Sequence, residues 1–78
     1  MVTNKEIHSQ YNIFSSNVKY YRKKLKYTQE NLAEKADLSI SYIKQIESKA
    51  DYSNVTFTTL SKLAIALNIT IKDLFTEK

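Results

Sequence analysis

The chain has 78 residues with no cysteine, glycine or proline, and 12 lysines and arginines against 8 acidic residues give it a net charge of +4. That length makes one small domain, expected to bury only about 60% of the surface its unfolded chain exposes, so a partner subunit is a natural source of extra stability. The missing cysteines exclude disulfides, thiolate metal sites and cysteine nucleophiles together; no apolar run approaches the ~20 residues of a membrane span, and the opening "MVTNKEIHSQ" lacks the apolar core of a signal peptide, so a soluble, cytoplasmic protein is expected.

Thr3 and Glu6 open the chain with the spacing of a capping box, and Ile7, Tyr11, Phe14, Val18, Tyr21 and Leu25 follow at helical intervals on one face. Within that stripe, "NIFSSN" is made of poor helix formers. The expectation is a break or kink there, which leaves residues 1–12 as an N-terminal extension or helical arm. Next comes "KYYRKKLK", where Lys19, Arg22, Lys23, Lys24 and Lys26 surround Leu25 and two tyrosines. A polyanion is one partner for such a cluster. A solvated lysine face on an amphipathic helix is the other reading, and the octet alone does not separate them.

"TQENLAEKA" reads as a second helix, with Thr28 as its N-cap and Leu32, Ala33 and Ala36 facing inward. Asp37 follows where a turn needs a residue tolerant of positive φ. Ser39 then caps a short helix, "SISYIKQIE", that buries Ile43 and Ile46. Two helices crossing at ~90–120° over so short a turn need a small residue at their contact, and Ala33 supplies it. Ile40, Ser41, Lys44 and Gln45 remain together on the outer face of the later helix, which is the face a recognition helix shows to the DNA major groove. A polar loop, "SKADYSNV", leads to "TFTTLSKLAIAL", capped by Thr56, with Phe57, Leu60, Leu63, Ala64 and Leu67 on one side. Finally "TIKDLF" carries a second capping pair, Thr70 and Asp73. No segment alternates with period two for long and no glycine-bearing hairpin turn exists, so strands are not expected. The fold class is all-α, with five helices.

Residues 28–47, "TQENLAEKADLSISYIKQIE", resemble the helix-turn-helix of the lambda-repressor/Cro-like (XRE-type) transcriptional regulators, and "TLSKLAIALNITIKDLF" is similar to that family's fourth and fifth helices. The resemblance implies a lambda-repressor-like domain over residues 13–76. Where the family often has glycine this chain has Lys26, Asp37 and Asn68, all expected in or near left-handed geometry at helix ends. The loop between Glu47 and Phe57 is longer than the family's usual one, with "ADYS" as the insertion. Among small members, restriction-modification controller proteins, phage Cro-type repressors and antitoxins are all similar in size.

The same resemblance implies residue roles. Gln29 hydrogen-bonds a DNA phosphate and braces the recognition helix, 39–47, with a plain solvated helix start as its rival reading. Thr28 stands beside it among the backbone contacts. Ser41, Lys44 and Gln45 face base edges, where hydroxyls, ammonium groups and amides read donor and acceptor patterns. Ile40 either packs on a thymine methyl group or leans back on Tyr42 or Tyr11. Arg22 and Glu47 form a structural ion pair. Lys19, Lys23, Tyr42, Lys49, Ser53, Asn54 and Thr56 are backbone contacts that position the protein without carrying sequence information. The expected partner is a double-stranded operator of inverted-repeat form, bound by a homodimer whose half-sites lie ~34 Å apart, in a bacterial or phage-encoded, nucleoid-associated setting. Ile69, Ile71, Leu74 and Phe75 form an apolar cluster of which part closes the domain core and the remainder is expected to make a dimer interface, the Ile7 to Leu25 stripe being a second possibility.

No enzyme is expected, because His8 is the lone histidine and there is no cysteine or glycine-rich phosphate loop. No metal, cofactor or small-molecule ligand is implied. The alternative function is a protein-interaction module that keeps the fold and binds a partner through the Ile40 face or the N-terminal segment. Salt separates the two, since phosphate neutralisation makes affinity fall steeply with ionic strength.

Overall fold

Every helix among the described residues begins on a hydroxyl side chain, and that repeated device sets the element boundaries. A computed structural model describes residues 1–49 and 55–78. Those residues form five helices: α1 (Asn4–Lys24), α2 (Gln29–Ala36), α3 (Ile40–Ser48), α4 (Phe57–Leu67) and α5 (Ile71–Leu74). Thr3, Thr28, Ser39, Thr56 and Thr70 each accept a first-turn backbone N–H. A cap of this kind contributes about 1 kcal/mol. Three become reciprocal boxes, in which Glu6, Asn31 and Asp73 return to the cap's own N–H at 3.0 Å. In the last, the hydrogen bonds from the Thr70 backbone and then its hydroxyl hold the Asp73 carboxyl below its ordinary value. That cap is therefore intact at neutral pH and is lost as pH falls through the lowered value.

Helix ends use left-handed residues in place of the missing glycines. Lys26, Asp37, Lys49 and Asn68 have φ of 62°, 55°, 59° and 58°. After three of them the chain closes the same way: Tyr27 N–H donates to Arg22 C=O, Leu38 N–H to Ala33 C=O and Ile69 N–H to Ala64 C=O, at 2.9–3.0 Å. These bonds satisfy carbonyls that a helix end otherwise leaves without partners. The sequence reading anticipated three of the positions and not Lys49.

The core joins Tyr11, Phe14 and Val18 of α1 to Leu32, Ala33 and Ala36 of α2, Ile43 and Ile46 of α3, Leu63, Ala64 and Leu67 of α4, and Leu74 of α5. Each fully buried Leu or Ile contributes roughly 1.5–3 kcal/mol relative to exposure. Ala33 is buried at the α2–α3 junction, where a small side chain lets the two backbones approach.

Two expectations are corrected. The first helix does not break at "NIFSSN"; α1 runs through it without interruption. The reason is tertiary. Phe14 and Val18 are buried there, the Ser15 hydroxyl donates to Ile46 C=O at 2.6 Å, and the Asn17 amide donates to the carbonyls of Asp73, Leu74 and Thr76. These contacts outweigh propensity differences of at most about 0.7 kcal/mol per residue. The second correction is Phe57, expected on the inner face of α4, which is 73% exposed at its first position. The apolar stripe of α1 also ends outside the core, with Ile7 and Leu25 exposed.

Lys26 lacks the short polar side chain that eases left-handed geometry at Asp37 and Asn68, and relieving it gives a direct check of the helix-end assignment. Lys26→Gly is expected to be more stable than Lys26→Ala by about 1 kcal/mol in urea unfolding, because only glycine escapes the Cβ penalty there. Equal stabilities of the two variants would contradict the left-handed assignment.

Candidate nucleic-acid interface

The centre of the site is a buried ion pair. Arg22 points from the last turn of α1 and Glu47 from the end of α3, and each is less than a tenth exposed. Arg22 Nε donates to Glu47 Oε2 at 2.7 Å and Nη2 donates to Oε1 at 2.9 Å, a parallel two-bond fork. The third guanidinium nitrogen, Nη1, donates to Tyr27 C=O at 2.8 Å, which ties the pair to the turn after α1. Gln29, at the start of α2, donates through Nε2 to Glu47 Oε1 at 3.2 Å. Three separate helices are thus pinned at one carboxylate. Geometry of this type is what makes a charge-assisted pair strong and directional.

Around the pair lies an open cleft lined by Lys19, Arg22, Lys23, Gln29, Lys44, Glu47 and Ser48. Its acidic member is neutralised by Arg22, so Lys19, Lys23 and Lys44 leave the cleft positive. Phosphate is the chemical group that fits such a surface, because it accepts hydrogen bonds from ammonium and amide donors and carries the opposite charge. The N-terminus of α2 adds its positive dipole end beside Gln29.

The outer surface of α3 adjoins the cleft. Ser41, Lys44 and Gln45 are exposed on it, while Ile40 and Tyr42 are half-buried and pack against the core. Ile40 thus divides its surface between the core and solvent at the start of α3. The structure therefore brings Lys19, Arg22, Gln29, Lys44 and Glu47 into one place, with Ser41 and Gln45 alongside. Thr28 is exposed but its hydroxyl caps α2, and the Thr56 hydroxyl is likewise engaged in the cap of α4. Lys49 is exposed at the left-handed end of α3. Ser53 and Asn54 lie outside the described residues, as does the "ADYS" insertion.

Sequence reasoning did not single out Ser48, Ser15 or Asn31. Ser48 stands four residues after Lys44, a spacing that puts both on one helical face. Asn31 stands three residues after its cap, where a capping box places its acid or amide. Ser15 had no such signal, since its partner is a backbone carbonyl. Among the apolar C-terminal residues, Leu74 is completely buried and belongs to the core, which removes it from any surface patch. Phe75 is 38% exposed and stacks on Phe14 with ring centroids 5.5 Å apart; Ile69 and Ile71 are half-buried. Among the described residues no His, Cys, Asp and Glu cluster is placed to hold a metal ion, and no helix is long and apolar enough to cross a membrane.

A profile of the helix-turn-helix family matches residues 18–74, which includes the ion pair, the cleft and all of α3. The chain belongs to this helix-turn-helix family, of XRE type. Its fold is similar to that of the restriction-modification controller protein C.AhdI from Aeromonas hydrophila, with a TM-score of 0.77 and 30% sequence identity over 86% of this chain and 98% of that one. Comparison with curated proteins gives no match. Family and structural neighbour together identify a DNA-binding, non-enzymatic transcriptional regulator with a lambda-repressor-like all-α fold.

Removing one member of the helix-turn-helix ion pair leaves the other charge buried and unpaired. Arg22→Ala is expected to lower unfolding free energy by ~3–5 kcal/mol, and Arg22→Met/Glu47→Leu to recover most of that loss. Chemical unfolding of the three proteins checks this, and an Arg22→Ala variant as stable as the parent would show that the pair is not buried as described.

Proposed function

We propose that the protein is a sequence-specific regulator that binds an inverted-repeat operator as a homodimer, with α3 in the major groove and the lysine cleft on the phosphate backbone. The observation that carries this reading is the convergence of Ser41, Lys44 and Gln45 on one exposed face of a helix fixed by the Arg22–Glu47–Gln29 network. A reading helix needs polar side chains on a rigid mount, because base-edge hydrogen bonds reward accurate placement. Lys19, Lys23 and Gln29 hold the backbone, and Lys49 and Thr56 extend that contact along it. Likeness to C.AhdI favours the restriction-modification controller type over other small regulators of the family.

One such module offers a small interface, so a two-fold dimer is the economical way to reach selective affinity. The exposed parts of Ile69, Ile71 and Phe75 at α5 form the proposed contact between subunits. A cytoplasmic, nucleoid-associated setting in a bacterium or phage follows from this reading. The protein-interaction alternative loses support at α3, because Ile40 is committed in part to the core.

Selection of bound duplexes from a random pool by the purified protein tests the proposal. An inverted repeat with half-site centres about one helical turn apart is expected. Ser41→Ala and Lys44→Ala should each cost about 1–3 kcal/mol on the selected site and relax preference at particular base pairs. Lys19→Ala should instead weaken binding to every sequence and reduce the slope of log affinity against log salt by about one. No enrichment, with weak binding that disappears as salt rises, would mean that the charge attracts DNA without reading it.

A further inference from the structure

The polar pair Ser15 and Asn17 sits in the middle of α1, and DNA contact gives neither residue a role. Ser15 is completely buried and Asn17 is 2% exposed. They lie two positions apart, about 200° around the helix, so they leave α1 on nearly opposite sides of the Phe14–Val18 ridge. Ser15 reaches α3, where its hydroxyl donates to Ile46 C=O at 2.6 Å. Asn17 reaches the end of α5, where its amide donates to Leu74 C=O and Thr76 C=O at 2.9 Å and to Asp73 C=O at 3.3 Å. An apolar substitute at either position has a cost, since Ile46 C=O in the last turn of α3 and Leu74 C=O at the end of α5 are carbonyls for which the helix supplies no N–H partner.

The placement matters because of what α3 and α5 do. The helix against which both pack is α1; the other route between them passes through α2 and α4. Resting on the homodimer reading above, α3 is the reading element and α5 the pairing element, so their mutual geometry sets how far apart the two reading helices stand. Apolar contacts along α1 allow sliding and rotation, because they are non-directional. Hydrogen bonds to defined carbonyls do not. Arg22–Glu47, seven residues along α1 and about 10 Å away, holds the next residue of α3 and so adds a second anchor at the same end of that helix.

We propose that Ser15 and Asn17 are positioning residues that set the half-site spacing the dimer accepts. Adding or removing one base pair moves a half-site by ~3.4 Å along the duplex and rotates it by about 34°. A dimer with rigidly linked α3 and α5 rejects such sites. One whose linkage relies on apolar packing alone accommodates them.

The test uses the full chain and three duplexes: the selected inverted repeat, the same repeat with one base pair added at its centre, and a single half-site. Affinities are measured for the parent, Ser15→Ala and Asn17→Ala at one salt concentration, below the melting point of each. Alanine raises helix propensity at both positions, so any loss does not come from a weaker α1. The expected result is that the variants keep half-site affinity, while the ratio between the selected and lengthened repeats falls by about threefold or more. An equal fall on all three duplexes would reduce the pair to ordinary stabilisers, and unchanged ratios would remove the role altogether; either overturns the proposal. If Asn17→Ala does not fold, Ser15→Ala alone decides. Should the parent itself show no spacing preference, the homodimer reading fails first and the inference with it.

Discussion

A guanidinium and a carboxylate facing each other below the surface constrain this small protein more than any single apolar contact. Taking two charges out of water costs several kcal/mol per ion, and the cost is recovered only when the geometry is good and the remaining donors are occupied. Here each guanidinium nitrogen has an acceptor: Nε and Nη2 meet Glu47, and Nη1 meets Tyr27 C=O. Gln29 adds a further donor to the same carboxylate. The end of α1, the start of α2 and the end of α3 cannot then shift independently. The face that carries Ser41, Lys44 and Gln45 has a fixed direction relative to the lysines of α1 because of this junction.

A second constraint acts through α1 as a whole. It is the longest helix, and it crosses a stretch of residues that would be expected to interrupt it. Ser15 and Asn17 are weak helix formers in isolation because their side chains compete for backbone groups. In the folded protein that same appetite is directed at the carbonyls of α3 and α5. What looks like a defect in local propensity is a tertiary fastening. The absence of glycine has a similar resolution, since Lys26, Asp37, Lys49 and Asn68 take the left-handed positions. Asp and Asn do so at modest cost, and the lysines are held there by the helix ends they terminate.

Much of the architecture was legible in the sequence because it follows from local chemistry. Hydroxyl caps, the small Ala33 at the α2–α3 crossing and the buried Ile43 and Ile46 all follow from spacing and side-chain type. The ion pair followed from the family resemblance, and the outward placement of Ser41, Lys44 and Gln45 from their spacing on α3. The parts that escaped depend on contacts between distant elements. Continuity of α1 depended on the ends of α3 and α5, thirty and more residues away. Phe57 escaped, and so did the division of the C-terminal apolar cluster between core and surface, because periodicity finds a helical face without showing how far the core extends along it. Phe57 lies beyond the end of that core, and Leu74 lies inside it.

Backbone amide NMR, recorded while a duplex about two helical turns long is added to the labelled protein, tests most directly whether the surface fixed by Arg22 and Glu47 is the one that meets DNA. The largest shifts should fall on Gln29 to Asn31 and Ile40 to Gln45, with Lys19 and Lys23 next and the inner turns of α4 little changed. Shifts concentrated on α4 and α5, with α3 unmoved, would contradict the assignment of α3 as the helix that enters the groove.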